Sequence, residues 1–184
     1  MKTAEQFDII IAQCREVFAK KLNDYGPAWR ILRPESLTDQ LYIKANRIRT
    51  IEITGTALVN EDIASEFMGL INYSIVALIQ LELGFAETVD ISEKKALELY
   101  DKYANQAKSL MMKKNHDYGE AWRLMRISSF TDLILMKIFR IKQIEDNKGQ
   151  TVISEGVENN YFDIINYSVF ALIKIEENKT ASNA

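Results

Sequence analysis

The sequence predicts an all-α protein, a six-helix bundle made by tandem duplication of a three-helix unit about a pseudo-two-fold axis. Three observations predict it. The segment KLNDYGPAWRILR, Lys21 to Arg33, recurs as KNHDYGEAWRLMR, Lys114 to Arg126, a shift of 114 − 21 = 93 positions. The repeat then runs almost end to end. Thr38-Asp39, Lys44, Arg47-Ile48 and Glu52 match Thr131-Asp132, Lys137, Arg140-Ile141 and Glu145 at the same shift, and after one inserted residue INYSIVALIQLE from Ile71 matches INYSVFALIKIE from Ile165. Finally, apolar residues recur at helical spacing through a chain of 184 residues holding only two prolines and seven glycines. The copies span about 5–83 and 98–177, and 1–184 is expected to form a single compact helical domain.

Taken in order, Thr3-x-x-Gln6 has the form of a capping box, and Phe7, Ile10, Ile11, Cys14, Val17, Phe18 and Leu22 form the apolar stripe of a first helix ending near Leu22. Asn23 to Leu37 contains Gly26, Pro27 and Pro34, which predicts a loop with one turn around Trp29. A second helix runs from about Thr38 to Thr54 and stops at Gly55. Asn60 or Glu61 opens a third, which stops at Gly84. In the second copy Ser92 caps a helix to about Lys114, a loop covers Asn115 to Ser129, and a helix from Phe130 or Thr131 ends before Asn147. Ser154 caps the last helix, and Thr180 to Ala184 is expected to fray.

Composition limits the function classes. About half of the chain is apolar, enough for a globular core, and a net charge of −3 argues against a duplex nucleic-acid surface while admitting local basic rows. The apolar run from Ile71 to Leu83 is interrupted by Asn72, Ser74, Gln80 and Glu82 and reads as too short for a membrane span. No signal peptide is recognisable at the start, so the expected compartment is the cytoplasm, with no membrane partner. The lone Cys14 lies on an apolar stripe and reads as a buried thiol.

Two polar sets carry candidate chemistry. Glu155, Asn159, Asp163 and Asn166 stand at intervals of four, four and three, one row along the last helix. Glu155, Asn159 and Asp163 could hold a hard cation such as Mg²⁺, while the alternative gives Glu155 to the helix dipole and Asn166 and Asn72 to interhelical hydrogen bonds. The first copy has Glu61, Ser65, Gly69 and Asn72 in these places and lacks the central acid; Glu66 lies off the row. The second set is basic: Lys137 and Arg140 with counterparts Lys44 and Arg47, and Lys114, Arg123 and Arg126 around the DYG segment with Lys21 and Arg33 in the other copy. Arg forks suit phosphate oxygens, and a Trp or Tyr beside them can cover a base. Asp117, Tyr118 and Trp122, with Asp24, Tyr25 and Trp29, and Asn166 of the last helix, therefore complete the candidate substrate-binding residues. His116 faces Asn23 and cannot serve a mechanism common to both copies.

K-x-x-D-Y-G-x-A-W, then a helix with Lys and Arg three apart, then E-x7-D-x2-N-Y resembles the nucleotide modification associated domain 1 family. Its helical pattern is similar to that of the MazG-like all-α NTP pyrophosphohydrolases. The resemblance implies a helical bundle with Mg²⁺ held by helix carboxylates, here Glu155 and Asp163, and hydrolysis of an NTP, dNTP or modified nucleotide to NMP and pyrophosphate. Two departures stand against activity: the E-E-x-x-E signature is absent from the second and fifth helices, and the first copy has no equivalent of Asp163. The competing expectations are a nucleotide-binding module without turnover and a structural helical interaction protein. A small-molecule nucleotide is the expected partner, with self-association into a homo-oligomer left open.

Overall fold

The computed structural model describes residues 2–59, 62–153 and 156–182. Among them there are six α-helices, two one-turn 3-10 helices and no strand: α1 (Thr3–Tyr25), a 3-10 turn (Ala28–Ile31), α2 (Pro34–Thr54), α3 (Ile63–Leu83), α4 (Glu93–Tyr118), a second 3-10 turn (Ala121–Leu124), α5 (Ile127–Asp146) and α6 (Val157–Ser182). The all-helical class is as expected, but several boundaries move. The first helix is entered from Lys2 rather than Thr3, and the Lys2 N–H donates to the Glu5 carboxylate at 3.3 Å. It continues one turn past Leu22 until Gly26, at φ 65°, turns the chain. Both expected loops shrink to a single 3-10 turn. Pro34 does not prolong the first loop; it occupies the first turn of α2, where its missing N–H costs nothing and its fixed φ suits the helix. Asp62 caps α3 by accepting from Ser65 N–H at 2.9 Å, and Ser92 caps α4 through Lys95 N–H at 3.1 Å. The Asn60, Glu61 and Ser154 starts lie outside the described residues, and Thr180 to Ser182 are still helical.

The core follows from which helices are apolar all round. In α3 the run from Ser74 to Gln80 is entirely buried, and in α6 the run from Ser168 to Ile173 is as well. Such helices must be covered on every side. α3 packs on α6, α2 on α3, α5 on α6 and α2 on α5, while α1 and α4 lie across the remaining faces of α3 and α6. By length and composition α3 is apolar enough to cross a membrane, contrary to the expectation of a run too short to do so. However, 61% of that window is buried inside the bundle, as for a core helix of a globular protein. The α1 face is a single stripe of Phe7, Ile10, Cys14, Phe18 and Leu22; Val17, at 37% exposure, falls outside it.

Contacts between the copies come in matched pairs. Thr38 donates to Glu145 at 2.7 Å and Thr131 to Glu52 at 2.9 Å. Arg15 pairs with Asp101 and Lys108 with Asp8, each at 2.6 Å. Arg49 faces Asp132 at 3.9 Å and Lys142 faces Asp39 at 3.8 Å. In every case the second contact joins the counterparts of the residues in the first.

Candidate functional site

The two DYG segments hold their aromatic residues in different surroundings. In the first copy the end of α1, the 3-10 turn, α2 and α3 surround a cavity of about 450 Å³ whose lining is mostly apolar and includes Lys21, Tyr25, Trp29, Lys44, Glu66, Gly69 and Tyr73. In the second copy the part of that space beside the tryptophan is filled. Trp122 stacks on Phe170 with ring centroids 4.3 Å apart and planes at 5°, and the Arg123 guanidinium covers the indole at 4.4 Å. Phe170 aligns with Val76, which lines the first-copy cavity. Of the four candidate aromatic residues, Trp29 and Tyr25 line the cavity. Trp122 is 5% exposed in the core, and Tyr118 projects from the surface at 73% exposure.

The acids and cations also divide by copy. Asp163 accepts from Lys114 Nζ at 2.6 Å through one oxygen and faces Lys137 Nζ at 2.7 Å through the other, with 13% of its side chain exposed. In the first copy the acid beside the basic residues of the neighbouring helix is Glu66, which pairs with Arg47 at 2.7 Å and reaches Lys44 at 3.4 Å. Measured from Glu61, Glu66 lies off the row, yet the alignment carries a signal for it. Glu66 and Gly69 align with Asn160 and Asp163, so the acid has moved three residues, one helical turn, along the same face. Lys21, the counterpart of Lys114, makes no ion pair among the described residues. Where Asp163 has its carboxylate, the first copy has Gly69, and a Cβ there would sit 2.9 Å from Lys44 Cδ and Cε. The glycine lets the Lys44 stem lie against α3.

A second hollow, about 690 Å³, lies between α5, α6 and the turn after α5, and brings Lys137 and Arg140 of one helix together with Asn159 and Asp163 of the other. Glu155 lies outside the described residues. The described donors do not fit a hard cation: both oxygens of Asp163 are taken by ammonium groups, and no three His, Cys, Asp or Glu side chains converge among the described residues. Asn72 and Asn166 are interhelical ties, donating to Cys14 O at 3.1 Å and Ala107 O at 3.3 Å. Tyr100 completes Asn72 by donating at 2.8 Å. Asn166 Oδ1 has no partner among the described residues, because the counterpart of Tyr100 is Phe7.

Several candidate positions fall away from both cavities. Asp24 and Asp117 are exposed on the last turns of α1 and α4, Asp117 beside the exposed His116 at 3.1 Å. Arg33 and Arg126 are exposed at the entries to α2 and α5. Arg123 is bound to Glu120 at 2.8 Å, Glu177 at 3.1 Å and Gln6 at 2.7 Å, a structural role. Burial pushes the Cys14 thiol up to about 12, which leaves it inert. Tyr73, which sequence spacing does not single out, lines the cavity with the Lys44 ammonium 5.6 Å above its ring.

The fold and cavity define an all-helical protein with an aromatic, cation-bearing pocket beside one of its DYG segments. The chain belongs to the nucleotide modification associated domain 1 family, whose model matches residues 21–81 and again 114–175. No curated protein and no solved structure gives a significant match.

Proposed function

We propose that the protein binds a nucleotide in the first-copy cavity and that its described residues do so without turnover. The observation that supports this reading is the composition of that cavity: flat aromatic walls from Tyr25, Trp29 and Tyr73 beside the ammonium groups of Lys21 and Lys44. A base gains from aromatic contact, and a phosphate from charge-assisted hydrogen bonds in a partly enclosed space. In the same reading the molecule is a tandem duplication about a pseudo-two-fold axis with a MazG-like plan, supported by the matched inter-copy contacts and by one family model fitting both halves. One copy keeps an open cavity while the other contributes core.

The second reading is Mg²⁺-dependent release of pyrophosphate from an NTP at the α5/α6 hollow, where Lys137, Arg140, Asn159 and Asp163 meet. It requires Asp163 to exchange its two lysines for a cation, with Glu155 as a further ligand. Titration of NTPs, dNTPs and NMPs, followed by assay of released pyrophosphate with and without Mg²⁺, separates the two. Binding without pyrophosphate is the expected result. Magnesium-dependent pyrophosphate lost in Asp163→Asn would establish the second reading, and absence of binding by every nucleotide would end both.

A further inference from the structure

The lysine pair of the second copy shows what its counterpart in the first is built to hold. Lys114 and Lys137 converge on one carboxylate, Asp163, at 2.6 and 2.7 Å. Lys21 and Lys44 are their counterparts, and both line the first-copy cavity. The residue aligned with Asp163 is Gly69, so the bridging anion is missing from the chain itself. Glu66 does not replace it, because its close partner is Arg47 at 2.7 Å and Lys44 lies 3.4 Å away. Within the lining, Lys21 and Lys44 stand against the single acid Glu66. The aromatic side of the comparison runs in parallel: Val76 lines the cavity where Phe170 packs on Trp122.

We propose that the first-copy cavity holds a phosphate group between Lys21 and Lys44, in the place Asp163 takes between Lys114 and Lys137. In the second copy the corresponding positions are taken by its own side chains, with Asp163 standing for the phosphate and Phe170 for the flat group of the ligand. One chain therefore binds one nucleotide, through the phosphate nearest the nucleoside. The geometry needs no metal, since two ammonium groups already converge on a single anion in the other copy. This inference rests on the nucleotide-binding reading and adds to it the phosphate position, the stoichiometry and the reason for the asymmetry.

Isothermal titration with AMP, GMP, CMP, UMP and dTMP, with their nucleosides and with inorganic phosphate, tests it. The preferred monophosphate should bind once per chain and tighter than its nucleoside by roughly tenfold or more, the effect of two charge-assisted hydrogen bonds. Gly69→Asp should erase that excess and leave the nucleoside bound, because the new carboxylate occupies the lysine pair as Asp163 does. The flexible end of Lys44 can move aside for it. Lys21→Gln, a change at an exposed side chain that leaves the core untouched, should reduce the excess in the same direction. Two bound nucleotides per chain, or a phosphate excess unchanged by both substitutions, would overturn the inference and leave the nucleotide reading in place. Inorganic phosphate bound and lost in Lys21→Gln, with no discrimination for any nucleoside, would keep the anion site and reject the nucleotide. No binding of any probe would reject both.

Discussion

Arg30 and Arg123 hold the same place in the two copies of the DYG segment, yet they are stabilised differently. Arg30 is 2% exposed, pairs with Asp90 at 2.7 Å, and donates to Gln80 and to Gly84 O at 2.6 Å. Gln80 also donates to the carbonyls of Arg30 and Leu32 at 2.9 Å, so this one guanidinium knots the 3-10 turn, the end of α3 and the connector between the copies. The guanidinium is buried although Asp90 is half exposed, and removing it strands the buried Gln80 amide oxygen. Arg30→Met should therefore lower the unfolding free energy by roughly 2–3 kcal/mol, the scale of hydrogen bonds to a charged group. Arg123 is partly exposed, with solvent available to its acidic partners, and Arg123→Met should cost roughly 1 kcal/mol. Urea denaturation of the two variants gives the comparison, and equal losses would contradict the assignment of Arg30 as the anchor.

At the scale of the element, α3 and α6 share the frame I-N-Y-S yet meet different neighbours. The asparagines make the same tie to α1 and α4, and Gln80 and its counterpart Lys174 both reach the carbonyl of the segment's arginine, Lys174 at 2.6 Å. The differences lie one face away, at Gly69 against Asp163 and Val76 against Phe170. Phe170 fills space that Val76 leaves open, whereas the space beside Gly69 is taken by the Lys44 stem. Val76→Phe should consequently occupy the first-copy cavity, weaken nucleotide binding at least tenfold and leave the melting temperature unchanged or raised, since it adds apolar contact without displacing a packed side chain. Differential scanning fluorimetry with and without nucleotide checks both halves of the expectation. A variant that binds as the wild type does would place the ligand elsewhere.

Across the whole molecule, the α2/α5 contact is the seam where matched interactions accumulate, and it carries a pH dependence. Glu52 and Glu145 are half-buried, each accepting from the threonine of the other copy. Desolvation raises both above the ordinary carboxylate value, and the threonine hydrogen bonds only partly offset it. A carboxyl group whose pKa is higher folded than unfolded binds more protons in the folded state, so its contribution falls as pH rises from the unfolded value through the folded one. Near neutral pH both groups are held ionised at a cost. Glu52→Gln with Glu145→Gln keeps an acceptor for each threonine and removes both charges. The double variant should melt above the wild type at neutral pH, with the difference shrinking as pH is lowered through the raised range of these carboxyls towards the ordinary carboxylate value, where the wild type takes up protons. A gap that widens on acidification would show that these carboxylates are stabilised in the fold.

The sequence by itself determined the helical class, the Ser92 cap, the stops at Gly55 and Gly84 and the repeat, because apolar periodicity, glycine stops and a gapless motif are local properties of the chain. It also marked the lysines and most of the aromatic residues of the cavity, since these recur at fixed spacing. Several helix ends escaped it: the DYG segments read as loops, whereas α1 and α4 continue to Tyr25 and Tyr118 and are ended by Gly26 and Gly119. The tertiary structure alone decided which copy is open. Phe170 and Val76 are equally apolar letters in the same frame, and nothing local says that one closes on Trp122 while the other leaves a cavity beside Trp29. The charges followed the same rule. Helix spacing put Asp163 on a row with Glu155 and Asn159, but its neighbours in space are lysines of α4 and α5, brought close by the bundle rather than by the chain. An ion pair between helices depends on which faces meet, and that is fixed by the burial of side chains far from the charges themselves.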